Sequence, residues 1–402
     1  MNVLLVGAGA REHALAWRLA QSPSLTELHA APGNPGIASL GVCHPVRADD
    51  GDGLLGLANT LGTELAVIGP EGPLVAGVAD ELRRNGIAVF GPSAAAARIE
   101  GSKSYAKEVL RAAGVPTAEA LSVARTPCVV KADGLAAGKG VFVCRTSDEL
   151  EAALRSVQAL GGGMVIEELL EGREVSVFGL SDGHDVLAVA AAQDFKRIGD
   201  GDTGPNTGGM GAYSPVPWVD DVDALIDAVH RPVIAELARR GTPFVGCLFA
   251  GLMVTDDGPK VLEFNARFGD PETQVIMPRL QGDLLDVLLH AARGDLSRAT
   301  VTPNSSSAVT VVLASPGYPE SSDYAGVTID GLEAATADGA LVFQSGTAVR
   351  DGRVVTTGGR ILSVTGTGET VSEARANAYR AVDLVSFEGA RFRRDIAAGV
   401  DG

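Results

Sequence analysis

The chain has 402 residues, which is more than usually fold around a single hydrophobic core, so roughly two to four domains are expected. Its composition, 46% hydrophobic and 21% charged, is ordinary for a globular protein. The formal net charge of −17 opposes binding to nucleic acid or to an anionic membrane, and only 4% of the residues are aromatic, which argues against stacking on single-stranded nucleic acid.

The first 92 residues alternate short apolar runs with helical patterns. Buried strands are predicted at Val3–Val6, Leu28–Ala31, Leu65–Gly69 and Ala88–Phe90, and helices near Glu12–Ala20, Gly53–Leu61 and Leu74–Asn85. Such alternation predicts a parallel sheet with right-handed crossovers. A ligand site is expected at the carboxyl ends of the strands, which carry Gly7–Arg11, Pro32–Gly36 and Gly69–Gly72.

A glycine-rich turn follows the first strand and opens a helix, with the sequence Gly7-Ala-Gly9-Ala-Arg11-Glu12. Backbone amides at a helix N-terminus favour anions, so these amides and Arg11 could hold a phosphate. A simple tight turn is the alternative. Glu12 stands where a dinucleotide fingerprint has its third glycine, and the second strand ends in Ala-Pro-Gly-Asn without an acid for ribose, so a nicotinamide enzyme ranks last.

Residues 93–114 are predicted to be helical, with Ser93 as N-cap and Gly114 as stop. A small α+β unit is predicted next. Its strands are Val129–Lys131, Val141–Cys144, Met164–Glu167 and Glu174–Leu180, and its helix lies near Ser147–Gln158.

A second glycine-rich segment in this unit reads Lys131-Ala-Asp-Gly134-Leu-Ala-Ala-Gly138-Lys139-Gly140, which is not a Walker sequence. Because it joins two strands, we interpret it as a hairpin flap that can close over phosphates. The alternative is a flexible surface hairpin. Further on, the connection Glu167–Glu174 could offer backbone groups to an adenine edge and a carboxylate to ribose, although acid-rich connections are usually solvated turns.

From about residue 188 to 300, strands alternate with helices at Ala224–Arg239 and Leu284–Arg293. Asp194 and the pair Lys196-Arg197 lead into Gly199–Gly211, a long run of Gly, Asp, Asn and Thr. Such a loop inside a compact domain is either disordered or functional, and the adjacent charges favour a substrate-closing role. Thr302–Ser307 indicates a linker. A C-terminal α+β segment follows, with strands near Ala308–Leu313 and Ile361–Thr365 and a helix over Val371–Val385.

The segment Val261–Gln274 reads VLEFNARFGDPETQ. In a strand, residues i and i+2 share a face, so Glu263, Asn265 and Arg267 are expected to point the same way. Two oxygen ligands beside a guanidinium suit Mg²⁺ on a nucleotide triphosphate next to a second anion. An edge strand with a charged outer face is the alternative.

The four cysteines and six histidines indicate no metal or disulfide framework. Cys43, Cys128, Cys144 and Cys247 form no Cys-x-x-Cys pair, and the histidines show no ligand spacing. No run of about 18 apolar residues occurs, and the N-terminus reads as a strand instead of a signal peptide. A cytoplasmic protein is expected.

Together these motifs resemble the ATP-grasp superfamily and, within it, the phosphoribosylamine–glycine ligase family. The resemblance is carried by GAGAREHALAW, APGNPG, GPEGPL, EGSKSYAK, KADGLAAGKGV, QDFKRIGDGDTGPNTGGMGAYSP, EFNARFGDPETQ and TTGGRILSVT. It departs from the family where Ala8 and Ala10 replace two residues of the usual GNGGREH and where Phe195 replaces a frequent histidine.

The resemblance implies a role for each matching residue. Those implied for ATP are Lys103, Lys131, Gly138, Lys139, Glu167, Glu168, Leu169, Leu170 and, at the ribose, Glu174. Glu263 and Asn265 would bind Mg²⁺ or Mn²⁺. Arg267, Lys139 and Asp194 are implied in catalysis. The substrate-binding set is Gly9, Ala10, Arg11, Glu12, Asn34, Glu71, Asp194, Lys196, Arg267 and Asp270.

The reaction implied is ligation of glycine to 5-phosphoribosylamine with ATP, through glycyl phosphate, by a monomer or weak homodimer. Two alternatives stay open: another ATP-grasp carboxylate–amine ligase, or a non-catalytic nucleotide-binding regulator. The expected division has four parts: a parallel α/β domain (1–102), an ATP-grasp core (103–120 and 185–303), a lid (121–184) and a C-terminal α+β domain (304–402).

Overall fold

The computed structural model describes residues 1–135 and 140–400. Its N-terminal part is a parallel sheet, as the sequence predicts, with the strand order β3-β2-β1-β4-β5, and its short edge strand β3 (Val42–Cys43) was not predicted. The strands are β1 (Asn2–Gly7), β2 (Glu27–Pro32), β3 (Val42–Cys43), β4 (Leu65–Ile68) and β5 (Ala88–Phe90). Leu4 and Val6 pack into one hydrophobic cluster and Val3 and Leu5 into another, so both faces of β1 are covered.

The helices of this sheet are α1 (Ala10–Leu19), α2 (Gly51–Leu61), α3 (Glu71–Ala76) and α4 (Val78–Arg84). The single helix predicted over Leu74–Asn85 is wrong, because Gly77 has a φ of +89° and separates α3 from α4. That backbone conformation is open to glycine and closed to most other residues. The break lets Glu71 begin a short helix directly after β4.

The helix predicted over residues 93–114 is also two helices, α5 (Ala94–Gly101) and α6 (Lys103–Ala113). Ser102 between them is extended, with φ −145° and ψ 117°, and its hydroxyl accepts a hydrogen bond from Tyr105 N at 3.2 Å. Ser102 is therefore the N-cap of α6, which makes Lys103 the first residue of that helix.

A small antiparallel sheet follows, in the order β7-β6-β8. It contains β6 (Cys128–Asp133), β7 (Val141–Cys144), α7 (Ser147–Leu160) and β8 (Gly163–Glu168). Cys128, Val130, Ala153 and Val157 form a separate hydrophobic cluster under α7. Residues 136–139 between β6 and β7 lie outside the described residues, so the predicted flap tip, with Gly138 and Lys139, lies there too.

The chain from residue 173 onward forms one large sheet, three two-stranded ribbons and several helices. The strands are β9 (Arg173–Asp182), β10 (Val186–Asp194), β11 (Arg197–Gly199), β12 (Thr203–Asn206), β13 (Gly211–Ser214), β14 (Val245–Thr255), β15 (Gly258–Asn265), β16 (Leu280–Gln281), β17 (Thr302–Pro303), β18 (Ser307–Ala314), β19 (Leu341–Gln344), β20 (Thr347–Arg350), β21 (Arg353–Thr356) and β22 (Arg360–Gly368). The helices are α8 (Val222–Leu225), α9 (Arg231–Arg239), α10 (Thr273–Ile276), α11 (Leu284–Ala292), α12 (Leu332–Ala337) and α13 (Val371–Val382). A π-helical turn at Ile226–His230 joins α8 to α9.

Eight strands make up the large sheet, in the order β15-β14-β9-β10-β13-β18-β22-β19. Strand β9 pairs with β14 over ten residues, so residues 173–182, which the sequence division gives to the lid, lie in this sheet. The near-continuous apolar run of β9 fits a central strand better than a small lid. The remaining boundaries of the four-part division stay predictions.

The predicted linker at residues 302–307 is partly wrong, because β17 pairs with β16 and Ser307 already begins β18. Strand β18 pairs with β13 on one side and β22 on the other, so the sheet continues from the core into the C-terminal segment. Helix α13 packs on β18 and β22.

The glycine-rich loop at residues 199–211 contains regular structure, since β12 lies within it and pairs with β11, which ends at Gly199, as a hairpin. Within the described ranges, no helix combines the length and the apolar character that crossing a bilayer requires.

Candidate active site

The turn between β1 and α1 is built around the buried side chain of Glu12. Its Oε2 accepts from Gly9 N at 2.6 Å, and its Oε1 accepts from Arg11 Nε at 2.6 Å. A Cβ added to Gly69 would lie 2.1 Å from Glu12 Oε1, so a glycine at the end of β4 leaves room for this carboxylate. Glu12 therefore fixes the turn and orients Arg11.

Arg11 and Arg267 converge on one carboxylate at the carboxyl end of the parallel sheet. Arg267 Nε lies 3.1 Å from Glu71 Oε2, and Arg11 Nη1 lies 3.8 Å from the same atom. Burial alone would raise the pKa of Glu71, but the positive charges of Arg267 and Arg11 outweigh it and lower the pKa to about 2. Glu71 is thus a carboxylate that holds two guanidinium groups side by side.

Arg267 also reaches Glu100 on α5, with Nη2 3.3 Å from Glu100 Oε1. Burial raises the pKa of Glu100 although Arg267 opposes this, and Glu100 Oε2 accepts from Ala266 N at 2.7 Å. The pKa of Arg267 is itself raised, because the attraction of Glu100 and Glu71 exceeds the effect of burial. Arg267 therefore stays charged while it connects the N-terminal sheet to α5.

Asn34, predicted to bind substrate, donates its amide to backbone carbonyls. The Nδ2 group lies 2.9 Å from Ala8 O and 2.8 Å from Gln344 O, while Oδ1 accepts from Ile37 N at 3.0 Å. The side chain ties the first turn to strand β19. Its predicted substrate role remains a prediction.

Two lysines share one buried carboxylate beneath the small sheet. Lys131 Nζ lies 2.7 Å from Glu167 Oε2, and Lys107 Nζ lies 2.8 Å from Glu167 Oε1. Lys131 also donates to Leu262 O at 2.8 Å. A cavity lies between α6, β6 and β15, and these lysines line it together with Lys103 and Glu263. Glu167, predicted at the adenine, is thus the counter-charge of two lysines.

Two further residues of the predicted adenine connection, Glu168 and Leu170, make contacts within the protein. Glu168 Oε1 accepts from Glu119 N at 2.9 Å, which attaches β8 to the preceding segment, and Leu170 is buried.

Lys103 and Glu263 face each other across the cavity, with Nζ 3.7 Å from Oε2. Burial would raise the pKa of Glu263, but the charges of Lys103 and Lys196 outweigh it, so the pKa is lowered. Asp133 from the small sheet accepts from Lys103 N at 2.7 Å and from Ser104 Oγ at 2.6 Å. The carboxylate of Asp133 therefore caps the helix that carries Lys103.

Carboxyl groups cluster at the ends of β10 and β15, next to one lysine. Lys196 Nζ is in contact with Glu174 Oε1. Burial raises the pKa of Asp194 to about 6, against the attraction of Lys196. Burial and then repulsion by Asp194 raise the pKa of Glu272 to about 8, and Ser176 Oγ donates to Glu272 Oε1 at 3.3 Å. This cluster favours the arrival of positive charge.

Asp270, another predicted substrate residue, is paired with a residue from the C-terminal segment. Arg360 Nη2 lies 2.8 Å from Asp270 Oδ2, and Arg360 Nη1 donates to Asp270 O at 2.9 Å and to Gly208 O at 2.6 Å. Arg360 thereby ties Asp270 to the end of the glycine-rich loop.

Most predicted site residues fall into two connected groups, one around Arg11, Glu71 and Arg267 and the other around Lys131, Glu263 and Asp194. The sequence reasoning missed four charged residues that complete them: Glu100, Lys107, Glu272 and Arg360. Lys107 lies four residues after Lys103 on α6, so helical spacing could have suggested it. Glu272 follows Asp270 in the quoted motif, but nothing in the sequence alone says that it is buried.

The donor set for a cation is small. Glu263 and Asn265 lie two residues apart on β15, opposite Gly251 and Phe249 of β14, and so share a face. In the parts of the chain that the structure describes, no group of three or more His, Cys, Asp or Glu side chains forms a metal cage. One carboxylate and one amide oxygen fit Mg²⁺ that arrives with phosphates, which supply further oxygens. They do not fit a cation held by protein ligands alone.

Comparison with protein families covers nearly the whole chain. The model described as the N domain of phosphoribosylglycinamide synthetase matches residues 1–100, its ATP-grasp (A) domain matches residues 101–273, and its C domain matches residues 308–399.

Comparisons with individual proteins agree with this family. The chain is 51% identical to a phosphoribosylamine–glycine ligase of Streptomyces coelicolor, over 100% of both chains. It is 35% identical to the solved phosphoribosylamine–glycine ligase of Thermotoga maritima, with a TM-score of 0.86, 99% of this chain covered and 100% of the other. The biotin carboxylase domain of a Hydrogenobacter thermophilus 2-oxoglutarate carboxylase, in complex with MgADP, ADP and bicarbonate, shares the fold at 17% identity and a TM-score of 0.69, covering 97% and 91%.

Proposed function

The chain belongs to the phosphoribosylglycinamide synthetase family, and from that premise we propose how its residues divide the work of the reaction. The protein is an ATP-dependent ligase of purine biosynthesis that joins glycine to 5-phosphoribosylamine and releases ADP and phosphate. In the first step, the glycine carboxylate takes the γ-phosphoryl group of ATP and becomes glycyl phosphate. In the second, the amine of 5-phosphoribosylamine displaces phosphate.

The triphosphate binds to lysines that, without nucleotide, are positioned by ion pairs with carboxylates. Lys103 is paired with Glu263, while Lys131 and Lys107 are paired with Glu167. A bound phosphate offers more negative charge and more acceptor oxygens than one carboxylate, so it competes for these ammonium groups. Gly138 and Lys139 of the flap complete the predicted phosphate grip, and the connection after β8 holds adenine, with Glu174 at the ribose.

Glu263 and Asn265 hold Mg²⁺ on the nucleotide. When bound, this cation polarises the γ-phosphoryl group and offsets the charge that develops on it. Glu263 is suited to the role because nearby lysines lower its pKa and keep it a carboxylate.

Glycine binds near Asp194, Lys196 and Glu272. Its ammonium group offsets the repulsion between half-buried Asp194 and buried Glu272, whose pKa values are raised to about 6 and about 8. Lys196 supplies a positive charge for the glycine carboxylate, since its pKa is raised well above the ordinary value although burial opposes this. The site therefore matches both charges of a small zwitterion.

The sugar phosphate of 5-phosphoribosylamine lies at the N-terminus of α1. Ala10 presents a backbone amide there, the Gly9 amide is held by Glu12 Oε2, and Arg11 supplies a guanidinium that Glu12 and Glu71 orient. A helix of ten residues adds a favourable field for an anion at this end.

The position of Arg267 is the observation that carries this assignment. One guanidinium bridges Glu71, beside the sugar-phosphate turn, and Glu100, beside the nucleotide cavity. A ligase that passes an activated carboxyl group from a nucleotide to a sugar amine needs a fixed positive charge between those two substrates.

The test is release of ADP in a coupled assay with ATP, glycine and 5-phosphoribosylamine, each omitted in turn. We expect turnover only when all three are present. Release of ADP that needs glycine but not 5-phosphoribosylamine would point to a different amine acceptor. ATP binding without any ADP release would point to a regulator.

A further inference from the structure

The hairpin β11–β12 begins one residue after the glycine site and returns to it. Lys196 O accepts hydrogen bonds from Thr207 N at 2.7 Å and from Thr207 Oγ1 at 2.8 Å. The two ends of the hairpin are thus joined at Lys196, so a movement of the hairpin moves the backbone of that residue.

The hairpin itself offers little to hold it in place. Its strand β12 reads Thr-Gly-Pro-Asn and is mostly exposed, and the β11–β12 ladder has two residue pairs with a register shift between them. A ribbon of this kind is marginally stable alone. Its position must come from contacts with other parts of the protein. Ile198 packs against Met210 and Ala314, and Arg394 N donates to Asp200 Oδ1 at 2.7 Å.

The contact that reaches most parts of the hairpin is made by Arg393, near the C-terminal end of the described chain. Its side chain is only 1% exposed. Nη1 lies 2.7 Å from Asp202 Oδ1 at the hairpin tip and 3.2 Å from Arg197 O, and the guanidinium lies 5.0 Å from the centre of the Phe195 ring. Arg393 therefore contacts the hairpin at its tip, its first strand and its base.

The segment around Arg393 is itself held firmly. Asp395 accepts from Arg393 Nε at 2.7 Å and Nη2 at 2.6 Å, and Arg375 on α13 donates to Arg394 O at 2.7 Å and Ile396 O at 2.9 Å. Asp395 also accepts from Gly201 N at the hairpin tip, at 2.8 Å. Tyr379 on α13 donates to Arg393 O at 2.8 Å. The guanidinium is thus fixed from the side of α13, and its remaining donors are directed at the hairpin.

We propose that Arg393 is a positioning residue for the glycine half of the reaction: it clamps the β11–β12 hairpin and, through Phe195, fixes Asp194 and Lys196. The inference rests on the proposed glycine site. Phe195 lies between the two site residues in sequence, and its ring is covered by the guanidinium. Arginine suits this task because its planar fork binds one carboxylate in two places and still reaches a second acceptor.

A merely structural role explains this arrangement less well. Burying a guanidinium and its partners gives little net stability compared with well-packed apolar side chains. A buried charge that reaches three parts of one exposed ribbon instead sets a single geometry for that ribbon.

Asp202 allows a test that spares the core. Its side chain is 70% exposed, and its backbone has a φ of 54°, which asparagine tolerates. Asp202→Asn removes the charge that Arg393 meets at the tip and keeps the shape. Asp351→Asn is the matched control, because Asp351 sits in the turn between β20 and β21 with a φ of 52°. Arg393→Ala is the direct variant, but it leaves Asp395 without its partner and can unfold the protein.

We expect Asp202→Asn to raise the KM for glycine about fivefold to fiftyfold, since small displacements of positioned groups have large effects. The KM for ATP should change less than twofold, thermal unfolding should be unchanged, and amide hydrogens of residues 199–206 should exchange faster. Asp351→Asn should match the wild type in all four.

Two results for Asp202→Asn would overturn the proposal: an unchanged KM for glycine, or a rise in KM that is equally large for glycine and for ATP. Failure of the proposed function itself is recognised separately, in the wild-type assay with each substrate omitted.

Discussion

Among single residues, Glu263 is the one on which the metal-assisted step depends. Glu263→Gln keeps the shape of the side chain and removes the charge that faces Lys103. We expect kcat to fall at least about a hundredfold, because Mg²⁺ loses a carboxylate ligand and then offsets less of the charge that develops on the phosphoryl group. The measurement is ADP release as a function of Mg²⁺ concentration.

The control for Glu263 is Asp257→Asn, which changes an exposed carboxylate in the turn between β14 and β15, the strand that carries Glu263. It should leave kcat unchanged. A Glu263→Gln variant with wild-type turnover at ordinary Mg²⁺ concentration would contradict the metal role.

Arg267 offers a second test at this scale. Arg267→Lys keeps a positive charge between Glu71 and Glu100 but loses the fork that reaches both. We expect kcat to fall about a hundredfold while the Kd for ATP changes less than about threefold, because the contact strengthens in the transition state. Lysine is preferred to alanine here, since alanine would leave buried Glu100 without this counter-charge.

Nucleotide affinity and single-turnover rate measure the two effects of Arg267→Lys separately. A variant that weakens ATP binding and leaves kcat intact would reassign Arg267 to ground-state binding.

The sequence could predict those site residues whose position follows from strand geometry. Glu263 and Asn265 share a face because they lie two residues apart in β15, and that spacing is visible in the motif. Arg267 lies beyond the end of the strand, so its partners Glu71 and Glu100 could not be inferred from alternation. Glu272 was missed because its burial depends on packing against distant segments.

At the scale of elements, helix α1 and strand β19 are joined through a neutral histidine. Nδ1 of His13 accepts from Gln344 N at 2.9 Å, and the ring packs edge-on against Phe343 with centroids 5.5 Å apart. Burial lowers the pKa of His13 to about 4. A proton on Nδ1 would remove the acceptor, so this contact exists only with neutral imidazole.

The contact therefore depends on pH with a definite sign. Between pH 6.5 and 4 the unfolded chain binds a proton at His13 and the folded chain does not, so stability falls as the pH falls through this window. The slope from this residue is at most about 1.4 kcal/mol per pH unit. His13→Asn, which can keep an acceptor, should reduce the acid sensitivity measured by urea unfolding.

His184→Asn serves as the control for His13, because His184 lies in an exposed turn between β9 and β10. It should leave the pH dependence as in the wild type. If His13→Asn and the wild type lose stability in parallel between pH 6.5 and 4, the neutral-histidine contact is not the cause.

Whether a segment is a helix or a strand could be predicted from the sequence, but the points at which a helix is interrupted could not. Four strands of the parallel sheet were predicted within one or two residues, because their apolar runs are bounded by glycine and proline, whereas the two-residue edge strand β3 was missed because it is too short to leave a pattern. Gly77 and Ser102 each divide a predicted helix, because the local amphipathic pattern continues across them. Ser102 could have been recognised as a cap, since the hydroxyl precedes a fresh helical turn.

For the whole molecule, the continuous eight-stranded sheet makes the C-terminal segment part of the core. A chain ending at residue 303 loses β18, β22 and β19 and exposes the edge of β13, whose residues are all buried in the intact protein. We expect this fragment to aggregate or to lack a cooperative unfolding transition. Gel filtration and thermal unfolding measure the result.

Co-expression of residues 304–402 with the truncated chain should restore a folded complex, because the missing strands can pair in place. A monomeric, cooperatively folded 1–303 fragment would contradict the shared sheet.

Sequence reasoning treated residues 302–307 as a linker because pairing between distant strands leaves no local signature. Strands β13 and β18 are separated by more than ninety residues, yet they align from Gly211 with Val311 to Ser214 with Ala308. The same limitation explains why β9 was assigned to the lid. Its neighbours β14 and β10 are known only once the sheet is assembled.

The way the small sheet is attached has a consequence for how the protein responds to its surroundings. Its apolar cluster lies within the sheet and α7, while Glu167, Lys131 and Asp133 fasten it to the body through charge and hydrogen bonds. Because Glu167 and Lys131 are buried, added salt screens these contacts little, but a polyanion that reaches the cavity competes with Glu167 for the lysines. A triphosphate that binds Lys107 is therefore expected to weaken the ion pair between Lys107 on α6 and Glu167 on the small sheet, and nucleotide binding and attachment of the small sheet would then be coupled.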